Sequence, residues 1–282
     1  MEKGEVIIEL RDIWYRYEGQ KDFILKEFNL QIRRGDILLL LGKSGSGKTT
    51  VARIITGLIP HFYRGELRGE VLVGGRSTLE MPIYEIADHV GLIRQNPENQ
   101  VLMTTVEREI AFSLEFLGMS REEMKKSVLE TADRVGISHL LPRDIDTLSG
   151  GELQKVAIAS ILVRKPYTII LDEPSAYLSP SSVKQLRRYI TKLREEGVTF
   201  LIIDHRLDYW LDLANRIAVI DGGTKIYDGD LDGFMDLLEK REIGLNIPIH
   251  IRLAIEVNRC CGKKLLPLTP DIKEMFKRLS GV

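Results

Sequence analysis

Eight consecutive residues, Gly42, Lys43, Ser44, Gly45, Ser46, Gly47, Lys48 and Thr49, meet every fixed position of the pattern G-x-x-x-x-G-K-[ST]. The glycines let the backbone turn sharply and aim its N–H groups inward, and a helix starting at the end of the loop adds its positive pole. Lys48 then supplies a cation for β- and γ-phosphates, the Thr49 hydroxyl is a ligand for Mg2+, and Thr50 extends the set into the helix. The pattern implies a nucleoside triphosphate without fixing the reaction, since kinases and GTPases share it. A glycine turn with a surface lysine is the plain alternative. It does not explain why the loop sits between an apolar run and a helical pattern.

A second element narrows the chemistry. TIILDEP places Asp172 and Glu173 at the end of an apolar run, where a carboxylate is costly unless a cation or hydrogen bonds compensate it. Mg2+ is the natural compensation: Asp172 would hold the metal through water, and Glu173 would polarise the attacking water as general base. The third element is LSGGE, with Ser149 as a helix N-cap and Gly150 and Gly151 permitting close backbone approach. It reads equally as a second phosphate site and as simple capping.

These groups need a frame. DILLLL, before the loop, is a near-continuous apolar run, as expected of a strand covered on both faces, and VARIITGL after it predicts a helix. VIIEL, IWYRY and ILKEFNLQI predict further strands, separated by turns such as EGQKD and RRGD. Residues 105–165 carry a helical period, and the helix after LSGGE has an expected apolar face of Leu153, Val156, Ala157, Ser160 and Ile161. Buried strands at 167–171 and 198–203 flank a helix at about 181–196. The alternation predicts an α/β fold: a mixed, largely parallel core with an antiparallel β subdomain, an inserted helical subdomain and a C-terminal appendage.

The motifs, in this order, resemble those of the ATP-binding-cassette (ABC) ATPases over roughly residues 5–240, a P-loop NTPase fold. LSGGE looks like that family's signature motif, including Glu152, which the resemblance puts with Ser149, Gly150 and Gly151 at the nucleotide. The family caps the γ-phosphate held by one subunit with the signature of another, so a lone chain would hold an incomplete site. Gln95, in GLIRQNPENQ, resembles the glutamine that senses metal and attacking water; His205, in FLIIDHRLD, looks like the histidine that contacts the γ-phosphate. Tyr17, in WYRYEG, fits the aromatic that stacks on adenine, with Tyr15 as the competing choice. The family usually reads S/T-A-G-L-D after DEP, whereas this chain has Tyr177 and Ser179 in place of the glycine and aspartate. That puts the cross-subunit contact in doubt and leaves homodimer and heterodimer open.

QNPENQVLMTTVEREIAFSLEFLGMSREE resembles the ATPases of energy-coupling-factor (ECF) importers and their cobalt and nickel relatives. The resemblance implies ATP and Mg2+, a second ATPase subunit, a transmembrane coupling protein and a membrane substrate-binding protein, with a vitamin or transition-metal ion as cargo. GLIPHFYRGELRGEV is similar to members associated with thiamine or its precursor. The ending IPIHIRLAIEVNRCCGKKLLPLTPDIKEMFKRL is similar to that group's C-terminal extension, which helps hold two ATPases together; the resemblance divides the chain into a nucleotide-binding domain at 1–240, with its helical subdomain at about 97–165, and a C-terminal extension at 241–282 as a dimerisation element. Glu98, Glu107 and Glu109 are candidates for receiving arginines of coupling helices, against a solvated helix face as the plain reading. The competing function is a non-transport ABC ATPase acting as a clamp or scaffold, for example in iron-sulfur assembly. Chromosome-maintenance members insert a long coiled coil where about 100 residues separate Lys48 from Ser149.

Composition bounds the rest. Forty basic and 41 acidic residues among 282 give a formal charge of -1 and no bulk field for a nucleic-acid backbone. No run approaches the roughly 20 apolar residues of a membrane helix, and the start lacks a secretory pattern. The expected location is cytoplasmic, peripheral on the inner face of the cell membrane. Adjacent Cys260 and Cys261 suit neither a disulfide framework nor a metal site and are expected to be buried or partly exposed thiols.

Overall fold

The computed structural model describes residues 4–240, 243–261 and 266–279. Its strands are β1 Val6–Tyr17, β2 Leu25–Arg33, β3 Ile37–Leu41, β4 Gly65–Val73, β5 Arg76–Ser77, β6 Val90–Ile93, β7 Thr168–Asp172, β8 Thr199–Ile203, β9 Arg216–Asp221 and β10 Thr224–Gly229. Its helices are α1 Lys48–Ile55, α2 Leu58–His61, α3 Ile83–His89, α4 Val106–Phe112, α5 Arg121–Val135, α6 Gly150–Leu162, α7 Pro180–Glu195, α8 Leu207–Trp210, α9 Leu231–Lys240, α10 Ile249–Cys261 and α11 Ile272–Leu279.

Two sheets carry the fold. One has the order β2-β1-β4-β5 and is antiparallel; the other has the order β10-β9-β3-β8-β7-β6, parallel except for the β9–β10 pair. The apolar run before the phosphate loop becomes β3, buried at all five positions. Ile37, Leu39 and Leu41 face a helical core, and Leu38 and Leu40 face the core shared with the antiparallel sheet and α1. A strand covered on both faces needs apolar side chains at both parities, which accounts for the absence of alternation.

VIIEL and IWYRY are one strand, not two. Asp12, at φ 48°, forms an irregularity inside β1 opposite Gly69, where a Cβ would lie 2.4 Å from the Asp12 carbonyl oxygen. The helical segment between β6 and β7 packs α4 and α5 on α6. Helix α6 is buried more widely than a single stripe predicts: Gln154, Ile158, Ala159 and Leu162 are buried beside Leu153, Val156 and Ala157, while Ser160 and Ile161 are half-buried. The cause is that α6 has neighbours on several sides, with Ile161 against Gly91 of β6 and Gly151 against Ser182 of α7. At the C-terminal end, Ala254, Leu266 and Met275 form a small separate core, closed by paired bonds between the Asn258 amide and the Leu266 backbone (3.0 and 2.9 Å). Cys260 and Cys261 are both exposed, being on the last turn of α10.

Candidate functional site

The ends of neighbouring parallel strands assemble the site. β3, β8, β7 and β6 lie side by side in that order, and their C-terminal ends lead into Gly42, Asp204–His205, Asp172–Glu173 and Gln95 respectively. Residues more than a hundred positions apart meet because their strands are neighbours, at the edge where open α/β sheets bind ligands.

The chain leaves Leu41, turns through residues 42–47 and enters α1 at Lys48. At Gly42 a Cβ would lie 2.5 Å from both the Ile220 carbonyl oxygen and Ser46 Oγ. Gly47 caps α1 at φ 105°, and a Cβ there would lie 2.7 Å from Leu25 Cδ2. The loop therefore tolerates no side chain at either position. Lys48 is buried and its Nζ donates to the carbonyl oxygens of Gly42 (2.9 Å) and Lys43 (2.8 Å). Burial lowers its pKa below 10.5, opposed by the charges of Glu173, Asp172 and Asp204. Ser46 Oγ is buried with no hydrogen-bond partner. An orphaned hydroxyl and a near-buried ammonium inside a glycine-limited cradle fit a phosphate group, which supplies acceptors for both.

Thr49 Oγ1 donates to Asp172 Oδ1 at 3.3 Å. Asp172 is 8% exposed, and burial raises its pKa above 3.8; the Thr49 hydrogen bond opposes that shift and neighbouring Glu173 adds to it. An oxygen pair of hydroxyl and destabilised carboxylate is the donor set that Mg2+ takes. Glu173 has φ 50°, in the left-handed region, with its N–H bonded to the Ile203 carbonyl at 2.7 Å. Gln95 Nε2 donates to Glu173 Oε2 at 2.8 Å, and His205 Nδ1 lies 3.9 Å from Glu173 Oε1. A cleft of about 840 Å3 opens beside this cluster, lined by Thr49, Asp172, Gln95, Arg53, Tyr63 and Tyr177 among others.

The tyrosines separate. Tyr15 is fully buried, its hydroxyl donating to the Arg64 carbonyl (3.2 Å) and its pKa pushed up to about 12 by burial. It has no free face for a base. Tyr17 is half-buried on the flank of α1, its hydroxyl 3.1 Å from Thr50 Oγ1 and accepting from Arg53 Nη1 at 2.8 Å.

Ser149, Gly150, Gly151 and Glu152 stand apart from this cluster. Ser149 and Glu152 form a capping box on α6, and the Glu152 carboxylate accepts from the Ser149 N–H (2.8 Å) and hydroxyl (2.7 Å). Gly150 and Gly151 face Tyr177 and Ser182. Among the described residues no hydrogen bond or ion pair joins this turn to the phosphate loop of the same chain. Ser179 caps α7, accepting from the Ser182 N–H at 3.2 Å. Tyr177 is 64% exposed.

One candidate surface needs correcting. Glu109 is buried, and its Oε2 accepts from the N–H groups of Leu102 and Met103, both at 2.9 Å. It is an internal anchor for the segment before α4, too little exposed to serve as a docking carboxylate. Glu98 and Glu107 are exposed, and Glu98 shares a groove of about 760 Å3 with Asp144, Asp146, Leu102 and Leu148. Sequence reasoning passed over Arg53 and Asp204. Their signals were an arginine inside the apolar run after Thr49 and a carboxylate ending the apolar run LIID.

The comparisons with known proteins agree with this geometry. The ABC transporter family model matches residues 25–176. A relative in Pyrococcus abyssi, named as an ABC transporter ATP-binding protein, is 37% identical over 277 residues, covering 97% of this chain and 99% of the relative. One of the same name in Treponema denticola is 39% identical over 233 residues, which are 83% of this chain and 48% of that longer protein. Among solved structures, cbiO1 of Clostridium perfringens, described as part of the ABC transporter complex cbiONQ, superposes with a TM-score of 0.75 at 25% identity, covering 91% of this chain and 97% of that one. An ATP-binding cassette solved as a dimer in a post-hydrolysis state with ADP and Pi gives a TM-score of 0.68 at 26% identity, over 79% and 98%. The chain belongs to the ABC transporter family, as an ATP-binding subunit that hydrolyses ATP to drive transport.

Proposed function

We propose that this chain is the ATPase of an ECF-type importer, powering uptake of a vitamin or transition-metal ion through a transmembrane coupling protein and a membrane substrate-binding protein. No helix among the described residues is long and apolar enough to cross a membrane, so this reading places the chain peripherally, on the cytoplasmic face. Tyr17 stacks on adenine, residues Gly42–Thr50 cradle the phosphates, and Lys48 turns from its two carbonyls to the β- and γ-phosphates. Thr49 and Asp172, with Gln95 beside them, would hold Mg2+, which neutralises phosphate charge when bound. Glu173 takes a proton from the attacking water, oriented by Gln95, and His205 contacts the γ-phosphate.

The observation that carries the paired site is the placement of Ser149–Glu152 on the α6–α7 side, unconnected to the chain's own phosphate loop. A second ATPase subunit would supply that turn to this loop. Exposed Ile249 and Leu253 of α10 and Ile272 of α11 support an extension that helps hold such a pair. The acidic groove at Glu98, with Asp144 and Asp146, suits an arginine-bearing helix of the membrane partner. The similarity to cbiO1, itself part of a larger transporter complex, supports the same reading. Isolation of the intact complex from membranes tests it, with identification of every chain and the bound small molecule. An ATPase pair, a coupling protein and a vitamin or metal ion are expected; a preparation without integral membrane protein would sink the proposal. Glu98→Lys with Glu107→Lys should prevent co-purification of the membrane subunit.

A further inference from the structure

We propose that Asp204 is a positioning residue for hydrolysis, a brace that locks the Glu173 loop to the His205 turn. The inference rests on the roles given above to Glu173 and His205. Asp204 ends β8 and is fully buried. Its Oδ2 accepts from Ser175 Oγ (2.7 Å), the Ser175 N–H (3.3 Å) and Trp210 Nε1 (2.8 Å). Its Oδ1 accepts from the N–H groups of His205 (2.7 Å) and Arg206 (3.0 Å). Every one of these partners is a donor, the complement of an acceptor-only carboxylate, and together they offset the cost of burying it.

The pattern of partners carries the argument. Ser175 follows Glu173 by two residues and is itself fully buried, while His205 follows Asp204 directly. One carboxylate therefore bonds to the loop holding the base and to the backbone of the histidine. Two further bonds close the same seam: the Glu173 N–H to the Ile203 carbonyl (2.7 Å) and Arg206 Nη1 to the Ser175 carbonyl (3.4 Å). Glu173 needs such support, because its φ of 50° is a conformation that persists only when the surroundings hold it. Asp204 acts on turnover by holding Glu173 and His205, whose side chains are separated by 3.9 Å, where a small drift of either group is enough to slow a reaction that depends on alignment; its charge also favours the Lys48 ammonium, a contribution that Ser175→Ala leaves in place.

The alternative is a buried carboxylate that serves stability alone. Steady-state kinetics on the full chain in the complex isolated from membranes distinguish the two, with melting temperatures measured beside them. Asp204→Asn presents an amide N–H2 where only donors converge. It should lower kcat by about tenfold or more with KM for ATP within about threefold of wild type. Ser175→Ala removes the 2.7 Å bond and leaves Asp204 its four N–H donors; it should lower kcat in the same sense by about threefold, and it decides the matter where Asp204→Asn fails to fold. Asp36→Asn is the control for stability. Asp36 is a buried carboxylate at the far end of β3, bonded to the Arg33 N–H and Arg216, and its loss should lower the melting temperature while leaving kcat within about twofold. The brace is overturned by normal kcat in Asp204→Asn and Ser175→Ala when Glu173→Gln is inactive, or by a kcat loss that Asp36→Asn reproduces. Near-normal turnover in Glu173→Gln would overturn the base assignment itself, a different failure read in the same experiment.

Discussion

Asp172→Asn should make the metal-free protein more stable while it removes turnover. Burial raises the Asp172 carboxyl above its ordinary 3.8, so the folded chain binds its proton more tightly than the unfolded chain does. Stability therefore falls as pH rises from 3.8 through the folded value, and the penalty is complete only above that value. Asparagine keeps the shape and still accepts the Thr49 hydroxyl, whose 3.3 Å bond contributes at most about 1 kcal/mol. Removing the buried charge should therefore stabilise by about 0.5–2 kcal/mol, or about 1–5 °C in Tm for a chain of this size. Calorimetry in EDTA near neutral pH measures the difference, which should vanish below pH 3.8. Addition of Mg2+ with ATP should raise Tm more in wild type than in the variant, reversing the order. A metal-free variant that melts below wild type would refute the reasoning, because Asp172 would then be a net stabilising carboxylate with no need of a cation.

Glu173→Gln should bind ATP with little change in affinity and hydrolyse it at least about a hundredfold more slowly, accumulating the paired form on size-exclusion chromatography. Glu109→Ala strips the acceptor from the N–H groups of Leu102 and Met103 and should cost about 1–3 kcal/mol in denaturant unfolding, whereas Glu107→Ala, on the exposed side of α4, should stay within about 0.5 kcal/mol. Gly42→Ala meets the Ile220 carbonyl at 2.5 Å and should weaken nucleotide binding at least about tenfold by titration. Gly45→Ala, where φ is 78° and nothing lies within 4 Å of the added carbon, should cost only the roughly 1–2 kcal/mol of left-handed backbone.

The phosphate loop was legible because its chemistry is contiguous: eight residues fix the turn, the cation and the hydroxyl, and the apolar run before them fixes the strand. Asp172, Glu173, Gln95 and His205 could be nominated from their strand ends and the family resemblance, but their meeting depends on the order β3-β8-β7-β6, which no local pattern contains. Tyr15 and Tyr17 resisted separation for a physical reason. Residues two apart on a strand share a face, and the two rings do pack edge to face at 4.9 Å. Only the strand's end distinguishes them, with Tyr15 covered at Arg64 and Tyr17 left at the flank of α1. Glu109 misled because its helical position looks like one of a solvated face, and its burial is set by the preceding segment folding back over it. Asp204 was readable as a buried strand-end carboxylate, but its donors come from Ser175, 29 positions upstream, and from Trp210.

The site groups that would meet a nucleotide already hold one another: Lys48 on two carbonyls, Thr49 on Asp172, and Gln95 on Glu173. Each of these bonds has an ionised partner and at good geometry is worth about 1.5–3 kcal/mol, and a nucleotide with its metal replaces them in kind. The ligand's advantage is therefore electrostatic, and at Lys48 it has a measurable sign. Burial disfavours the ammonium, so the empty lysine loses its proton at a lower pH than an unfolded one, and a phosphate against Nζ shifts the balance back toward the charged form. Between the lowered value and 10.5, binding of ADP without metal should take up a proton at the site. Calorimetric titrations in two buffers of unequal ionisation enthalpy read this directly: uptake should grow as pH is raised into that window and disappear in Lys48→Met. Zero uptake throughout the alkaline range would mean that Lys48 stays fully charged over its two carbonyls, and that the cradle gains nothing from the phosphate as a counter-charge.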